Sequence, residues 1–597
     1  MAGNVFYLYF MSGEEFYVAN GYASCDSRAK QALWDSLSLK IQALGRSRVC
    51  VCGDFNVVRS VDERRSVRGG YSSLDHVPFN RFIDDNTLID LPLCGRKFTW
   101  FKGDGRSMSR LDRFLLSGDW CLTWPNCTQA ARMRGLSDHC PLVLAAEEED
   151  WGPRPSRMSK CWRDVPGYKL FVREKWNSFQ FDGWGGYVLK EKLKGIKIVL
   201  KEWHTAHTQN LPSRIAALKD QLAALDEKGG EVVLSESELA EFHGVTSDIH
   251  SLSRLNASIC WQQSRSRWLK EGNANSKYFH SVLASRRRGN VISSLQVDST
   301  VVEGVVPIRH AVVSHFAAHF KAVNVERPGV ENLIFKRLQV AEVRSLTKPF
   351  SLEEVKAAVW DCDSYKSPGP DGINFGFIKD FWAEMQGDVM RFISEFHRNG
   401  RLTKGLNASF IALIPKVDSP QSLNDFRPIS LVGSLYKILA KGRRILDGIL
   451  VANEVVDEAR KSKKELFLFK VDFEKAYDSV DWGYLDAVMG RMGFPTLWRK
   501  WIKECVCTAT ASVLVNGSPT DEFPLERGVR KGGPLSPFLF FLAAEGLHVL
   551  MEAMVERNLF TGYSVGELSP MTVSHLQFAD DTLLMGTKSW ANVRALI

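Results

Sequence analysis

The run Phe467-Leu468-Phe469-Lys470-Val471-Asp472-Phe473-Glu474-Lys475-Ala476-Tyr477-Asp478 decides the architecture. From Leu466 to Phe473 the chain is apolar, rich in aromatics and of strand length, with no Pro, Gly or Asn to interrupt it. Strand residues alternate faces, so Asp472 shares a face with Leu468 and Lys470 at the strand's C-terminal end. A helical pattern comes next, in which Trp482, Leu485, Val488, Met489 and Met492 recur at helical spacing. A carboxylate that ends a buried strand beside a crevice is where open α/β sheets carry their chemistry. On this stretch alone, a strand-capping Asp on the surface fits equally well.

A second stretch, Ser574-His575-Leu576-Gln577-Phe578-Ala579-Asp580-Asp581-Thr582-Leu583-Leu584-Met585-Gly586, reads as two short apolar strands joined by a turn at the paired acids. Adjacent aspartates repel, and holding both at a tight turn costs stability unless a cation offsets the charge. A lone Asp-Asp is ordinarily a solvated turn. Together with Asp472, however, it gives three carboxylates on two strands, a hard oxygen-only donor set suited to Mg2+. A pair of such ions can activate a primer 3′-hydroxyl and stabilise a pyrophosphate leaving group.

Phe469-Lys470-Val471-Asp472-Phe473-Glu474-Lys475-Ala476-Tyr477-Asp478 resembles motif A, and Phe578-Ala579-Asp580-Asp581 resembles motif C, of the reverse transcriptases of non-LTR (LINE-type) retrotransposons, plant elements above all. The resemblance implies that Asp472, Asp580 and Asp581 are the metal-binding carboxylates of a palm subdomain, with Mg2+ as the cation and Mn2+ as a substitute. It also implies an RNA template, a DNA primer or target and deoxynucleoside triphosphates as partners. Tyr477 matches the family's aromatic gate against a ribose 2′-hydroxyl. Read from the residues alone, it is a core aromatic.

At 597 residues the chain is long enough for about two to four domains with real cores. Its net charge of +8 is a mild basic excess that suits nucleic acid without being diagnostic. The 12 cysteines are scattered, and Cys50/Cys52 and Cys505/Cys507 have strand-like spacing rather than a Cys-x-x-Cys zinc grip, so no zinc site is expected. A reducing intracellular setting is expected, nucleus or cytoplasm, neither secreted nor in a membrane. No apolar run approaches membrane-spanning length, Phe538 to Ala544 being short, and Met1 to Phe10 lacks the features of a signal peptide.

Residues 1–146 read as short strands and loops around acidic motifs: Gly53-Asp54-Phe55-Asn56, Ser109-Arg110-Leu111-Asp112-Arg113 and Ser137-Asp138-His139-Cys140-Pro141. In this order they resemble the endonuclease/exonuclease/phosphatase superfamily, specifically the apurinic-type endonuclease of LINE elements. The resemblance implies phosphodiester cleavage. His139 would contact the scissile phosphate with Asp112 orienting it, Asp54 would activate water, Asn56 would hold the transition state and Asp138 would help hold a metal. Tyr22 matches a phosphate-contacting tyrosine in a divergent local sequence. The superfamily's opening Asn strand and metal-ligating Glu strand have no counterpart after Met1, so this portion is expected to be the C-terminal part of the sandwich, with little or no nicking activity.

Residues 147–350 are expected to form a mainly helical, basic connector. Tyr187 to Asn210 and Pro212 to Lys228 look helical, with Ile215, Leu218, Leu222 and Leu225 as a packing stripe. From Ser264 to Asn290, Arg265, Arg267, Lys270, Lys277, Arg286, Arg287 and Arg288 interleave with Trp268, Tyr278 and Phe279, a mixture suited to phosphate contact and base stacking. A solvated charged face is the alternative.

Residues 351–597 resemble a partial reverse transcriptase, fingers and palm. Lys416 and Arg427 match the family's basic finger residues near the incoming nucleotide's phosphates, although surface charge explains any single Lys or Arg. Three departures bear on activity. Tyr436 to Lys441 runs almost directly into Arg443, where the family has a few dozen residues. In Arg527-Gly528-Val529-Arg530-Lys531-Gly532-Gly533-Pro534-Leu535-Ser536-Pro537, Lys531 and Gly533 stand where the family has Gln and Asp, which puts template and nucleotide positioning in doubt. Ile597 comes too soon after Asp581 for a complete thumb, and the zinc-knuckle and ribonuclease H-like regions of plant elements are absent. The expectation is therefore an α+β multidomain chain: an incomplete four-layered αββα endonuclease-like sandwich, a helical connector and a truncated reverse transcriptase. Two-metal nucleotidyl transfer is expected at Asp472/Asp580/Asp581, impaired or inactive; the alternative is a non-catalytic retroelement remnant that at most binds nucleic acid.

Overall fold

The computed structural model describes residues 4–9, 15–45, 47–66, 76–124, 127–145, 149–208, 210–264, 291–298, 300–322, 329–417, 420–441, 466–473, 475–565, 571–578 and 581–596. The N-terminal region is built on a five-stranded sheet in the order Asn4–Tyr9, Glu15–Tyr22, Val49–Asp54, Asp112–Leu116, Ile89–Asp90. Alternation along its central strands loads both faces with apolar side chains. Val49, Val51 and Leu115 pack with Trp34, Phe79 and Phe82 of the helices Ser27–Leu44 and His76–Asp85. Cys50 and Leu116 pack with Phe16, Trp120 and Cys121 on the opposite face, where Leu144 of a second sheet joins them. That sheet has the order Leu142–Ala145, Thr128–Ala131, Leu93–Cys94. Buried Gln129 ties the two sheets by accepting from Phe114 N–H (2.6 Å) and donating to the Leu91 carbonyl (3.1 Å).

The middle of the chain packs into the C-terminal region. Trp162, Val172, Trp176, Leu189 and Ile196 share one core with Val355, Phe377, Met385, Phe392 and Ile438. The helices Gly185–Thr208 and Leu211–Glu231 lie where the periodicity predicts them. The stripe Ile215, Leu218, Leu222, Leu225 is half-buried, and its helix runs beside Glu236–Ser264, joined by Lys228–Glu238 and Gln221–Glu241 contacts. The helix Val305–His319 lays Ile308, Val312 and Phe316 against Ile411, Ala511 and Val513 of the next sheet.

That sheet runs Phe426–Val432, Ala408–Pro415, Thr510–Val515, Ser518–Pro519, with Phe523–Pro524 also pairing to Thr510–Val515. A separate three-stranded sheet has the order Leu466–Asp472, Asp581–Thr587, His575–Phe578. The helices Trp482–Arg491, Thr496–Cys507 and Ser536–Glu556 pack around a core containing Leu485, Trp498, Trp501, Leu539 and Phe540.

Two sequence expectations change here. Among the described residues Leu466–Asp472 is an edge strand rather than a buried one, since there it pairs only with Asp581–Thr587; Leu468 is 47% and Phe469 49% exposed. The apolar run after Pro537 also extends into a 21-residue helix, Ser536–Glu556, which by length and composition alone could cross a membrane. Its residues nevertheless serve three cores: Leu539, Phe540 and Leu542 one, Val549 a second and Met551 a third.

Candidate functional site

The two acidic stretches meet in one ladder. Leu466–Asp472 and Asp581–Thr587 pair antiparallel over seven rungs, from Leu466 opposite Thr587 to Asp472 opposite Asp581. Opposed Cα atoms in such a ladder lie about 4.5–5.5 Å apart. On its other side, Asp581 is opposite Phe578, so the two strands predicted from the sequence pair antiparallel, residues 579–580 between them lying outside the described residues. Asp580 lies outside the described residues, as do Arg265, Arg267, Lys270, Arg286, Arg287 and Arg288. The register therefore brings the backbones of Asp472 and Asp581 onto one rung, with residue 580 next in the chain. By composition, Asp472, Asp580 and Asp581 are an all-oxygen donor set of the kind that fits a hard divalent cation.

Around this rung the chain is tightly connected. After Asp472 it turns through a short 3-10 segment, Tyr477–Ser479, and enters Trp482–Arg491, whose N-terminus Asp481 caps by accepting from Tyr484 N–H (2.8 Å). Tyr477 is half-buried, its ring 5.1 Å from that of Phe540. The Tyr477 carbonyl accepts from Val529 N–H (2.6 Å), which joins this turn to the loop before Ser536–Glu556. Buried Arg530 anchors that loop, stacked 3.8 Å over the Tyr436 ring and donating to the Asn407 (3.0 Å) and Cys505 (3.2 Å) carbonyls.

The departures at 531 and 533 have definite surroundings. The Lys531 ammonium sits 6.0 Å from the Tyr477 ring centre, and its carbonyl accepts from Ser430 N–H (2.8 Å). Gly533 donates to the Arg530 carbonyl (2.8 Å), and a Cβ at 533 would come 3.0 Å from that same oxygen. Glycine suits this turn sterically. Lys416 and Arg427 lie on the hairpin of Ala408–Pro415 and Phe426–Val432, both exposed; Lys416 donates to the Asn424 carbonyl (2.8 Å), and Arg427 is opposite Ile414.

The N-terminal residues form a second cluster at one end of the five-stranded sheet, where Asp54 is opposite Asp112. Gly53 makes this junction possible: its φ is +134°, and a Cβ there would lie within 1.9 Å of the Gly21 carbonyl oxygen. His139 Nδ1 is 2.9 Å from Asp112 Oδ2, while Nε2 stands 3.9 Å from Asp54 Oδ2. Burial alone would lower the imidazole pKa, but the Asp112 hydrogen bond and the charges of Asp112, Asp54 and Asp138 outweigh it and raise it. Burial, reinforced by Asp112, pushes the Asp54 carboxyl upward. Asn56, at φ +48°, donates its side-chain amide to the Ala23 carbonyl (2.8 Å) and its N–H to Asp54 (2.9 Å). Asp138 accepts from Trp100 Nε1 (2.9 Å), which holds its carboxyl below the usual range. Tyr22 ends its strand opposite Asp54 and is well exposed. A His–Asp pair beside a second carboxylate can transfer a proton and meet an anionic phosphodiester.

One contact was invisible in the sequence. His319 Nε2 lies 3.1 Å from Asp478 Oδ2, joining residues 159 positions apart. No local spacing signals such a pair.

Residues 5–139 match the endonuclease/exonuclease/phosphatase family, and residues 414–595 match the reverse transcriptase (RNA-dependent DNA polymerase) family. An uncharacterized 149 kDa protein of transposon TX1 from Xenopus laevis is 24% identical over 622 residues, covering 96% of this chain and 46% of that protein. A retrovirus-related Pol polyprotein from the type-1 retrotransposable element R2 of Popillia japonica is 26% identical over 263 residues, 40% of this chain and 35% of that one. An RNA-directed DNA polymerase from the mobile element jockey of Drosophila funebris is 26% identical over 313 residues, 47% and 32% of the two chains. The chain spans less than half the length of each of these relatives. Both matched families generally use divalent metal ions. The chain carries an endonuclease/exonuclease/phosphatase-type domain followed by a reverse transcriptase domain, and is homologous to the polyproteins of non-LTR retrotransposons.

Proposed function

We propose that this chain is an RNA-directed DNA polymerase of a LINE-type element, adding deoxynucleotides to a primer 3′-hydroxyl along an RNA template. The single observation that supports this most is the rung on which Asp472 is opposite Asp581. Asp472, Asp580 and Asp581 would hold Mg2+, with Mn2+ as a substitute. When bound, the cation lowers the pKa of the attacking hydroxyl and neutralises charge on the departing pyrophosphate. Around it the chain binds and orients. Tyr477, backed by Phe540, excludes a ribose 2′-hydroxyl, and exposed Lys416 and Arg427 meet the triphosphate. The basic segment from Arg265 to Arg288 contributes phosphate contacts to the RNA.

Lys531 and Gly533, where the family has Gln and Asp, argue for slowed synthesis, since small displacements of positioning groups cost rate steeply. The phrasing of motif A favours an element of plant type, and the scattered cysteines favour a reducing setting inside the cell. Primer extension on poly(rA)/oligo(dT) with Mg2+ tests the reading. Extension by the wild-type chain that falls at least about 10²-fold in Asp580→Ala supports it; salt-sensitive RNA binding with no extension would favour a non-catalytic remnant.

A further inference from the structure

The helix Val305–His319 lies upstream of the segment matching the reverse transcriptase family, yet its last residue reaches the motif A turn. His319 donates from Nε2 to Asp478 Oδ2 (3.1 Å), and both side chains are close to nine-tenths buried, at 11% and 12% exposed. The His319 backbone carbonyl accepts two hydrogen bonds from Arg527, from Nε at 3.0 Å and from the terminal nitrogen at 2.6 Å. Alongside, Glu526 N–H donates to the Phe320 carbonyl (3.0 Å), and the Glu526 carboxylate accepts from Ala322 N–H (2.9 Å). One helix end therefore holds the turn at 476–480 through a side chain and the loop at 526–531 through its backbone.

Those two segments are also joined directly. Gly528 N–H donates to the Val480 carbonyl (2.7 Å), Val529 N–H to the Tyr477 carbonyl (2.6 Å) and Trp482 Nε1 to the Gly528 carbonyl (2.8 Å). The contact is close enough that a Cβ on Gly528 would sit 2.5 Å from the Asp478 carbonyl oxygen. Asp478 is thus the shared point. Its backbone touches the loop and its carboxylate takes the histidine, while Tyr477, one residue before it, presents its ring to Phe540. The helix cannot slide, because Ile308, Val312 and Phe316 are buried in the neighbouring sheet core.

We propose that His319 is a positioning residue for nucleotide selection, acting through Asp478 to fix the Tyr477 ring against the loop 528–533; its kinetic consequence rests on the polymerase reading. Without the hydrogen bond, the buried Asp478 carboxylate loses its partner and the turn gains freedom. The ring that screens the sugar then shifts, whereas the backbones of Asp472 and Asp581 are paired in a separate ladder. Nucleotide affinity and sugar discrimination should therefore suffer more than the chemical step.

The test is single-nucleotide incorporation by the full chain on an RNA template and DNA primer, comparing wild type, His319→Ala and His319→Gln with dTTP and with UTP. We expect His319→Ala to raise KM for dTTP about tenfold, the scale of one lost charge-assisted hydrogen bond, with a smaller change in kcat. We also expect a narrowed preference for dTTP over UTP and substantial recovery in His319→Gln, whose amide can still donate. Unchanged KM and unchanged discrimination in His319→Ala, even with a lowered Tm, would overturn the proposal. If the wild-type chain incorporates nothing, the polymerase reading fails by itself, and hydrogen–deuterium exchange decides the positioning claim. Faster exchange over 476–480 and 528–533 in His319→Ala, reversed in His319→Gln, supports it; unchanged exchange refutes it.

Discussion

At His139 the balance of charges sets a pH dependence. The Asp112 hydrogen bond and the surrounding carboxylates raise the imidazole pKa in the folded state despite its burial. A base whose folded pKa is raised contributes stability that is fully present below its free value, about 6.5, and fades as pH rises through the folded value. The Tm difference between wild type and Asp112→Asn should therefore be widest near about pH 5 and shrink toward about pH 9. A difference that stays constant across this range would show that the pair gains nothing from imidazole charge. The residues of this cluster were legible in the sequence because each sits in a short acidic motif. The Trp100 bond to Asp138 was not, since it depends on how the strand Trp100–Phe101 meets the segment at 138–139.

Among the elements, the pairing of His575–Phe578 with Asp581–Thr587 was readable because the two apolar runs are close in sequence and the paired acids interrupt them. The strand ending at Asp472 was readable as a strand but not as an edge. An apolar run looks the same in the middle of a sheet and at its rim, and only pairing separates them. The loop before Ser536–Glu556 shows a further limit: its glycines predict a turn, not the backbone it must approach. Gly528 holds φ +80° against the Asp478 carbonyl, so Gly528→Ala combines an unfavourable dihedral, about 1–3 kcal/mol, with a direct clash. We expect this variant to lose primer extension and to unfold at lower denaturant, and wild-type behaviour in both assays would contradict the contact.

Across the whole molecule, the sequence separates a connector from the polymerase, whereas the packing does not. Trp162, Trp176, Leu189 and Ile196 belong to the core that holds Phe377, Met385 and Phe392. Helical periodicity shows which face of each helix is apolar but not what covers it, so this joint core was beyond reach from the sequence. Replacing Trp176, 2% exposed, with Ala should cost about 3–5 kcal/mol and make the region 352–438 protease-sensitive along with the connector helices. Proteolysis confined to the connector would show that the two are independent.

The central claim is that Asp472, Asp580 and Asp581 act as one unit around a shared divalent cation. Mg2+-dependent primer extension by the three single Ala variants and the Asp472→Ala/Asp580→Ala double variant tests it most directly. Residues that act together are non-additive, so each single substitution should abolish extension and the double should be no worse. Near-wild-type extension by any one of the three single variants would contradict the claim.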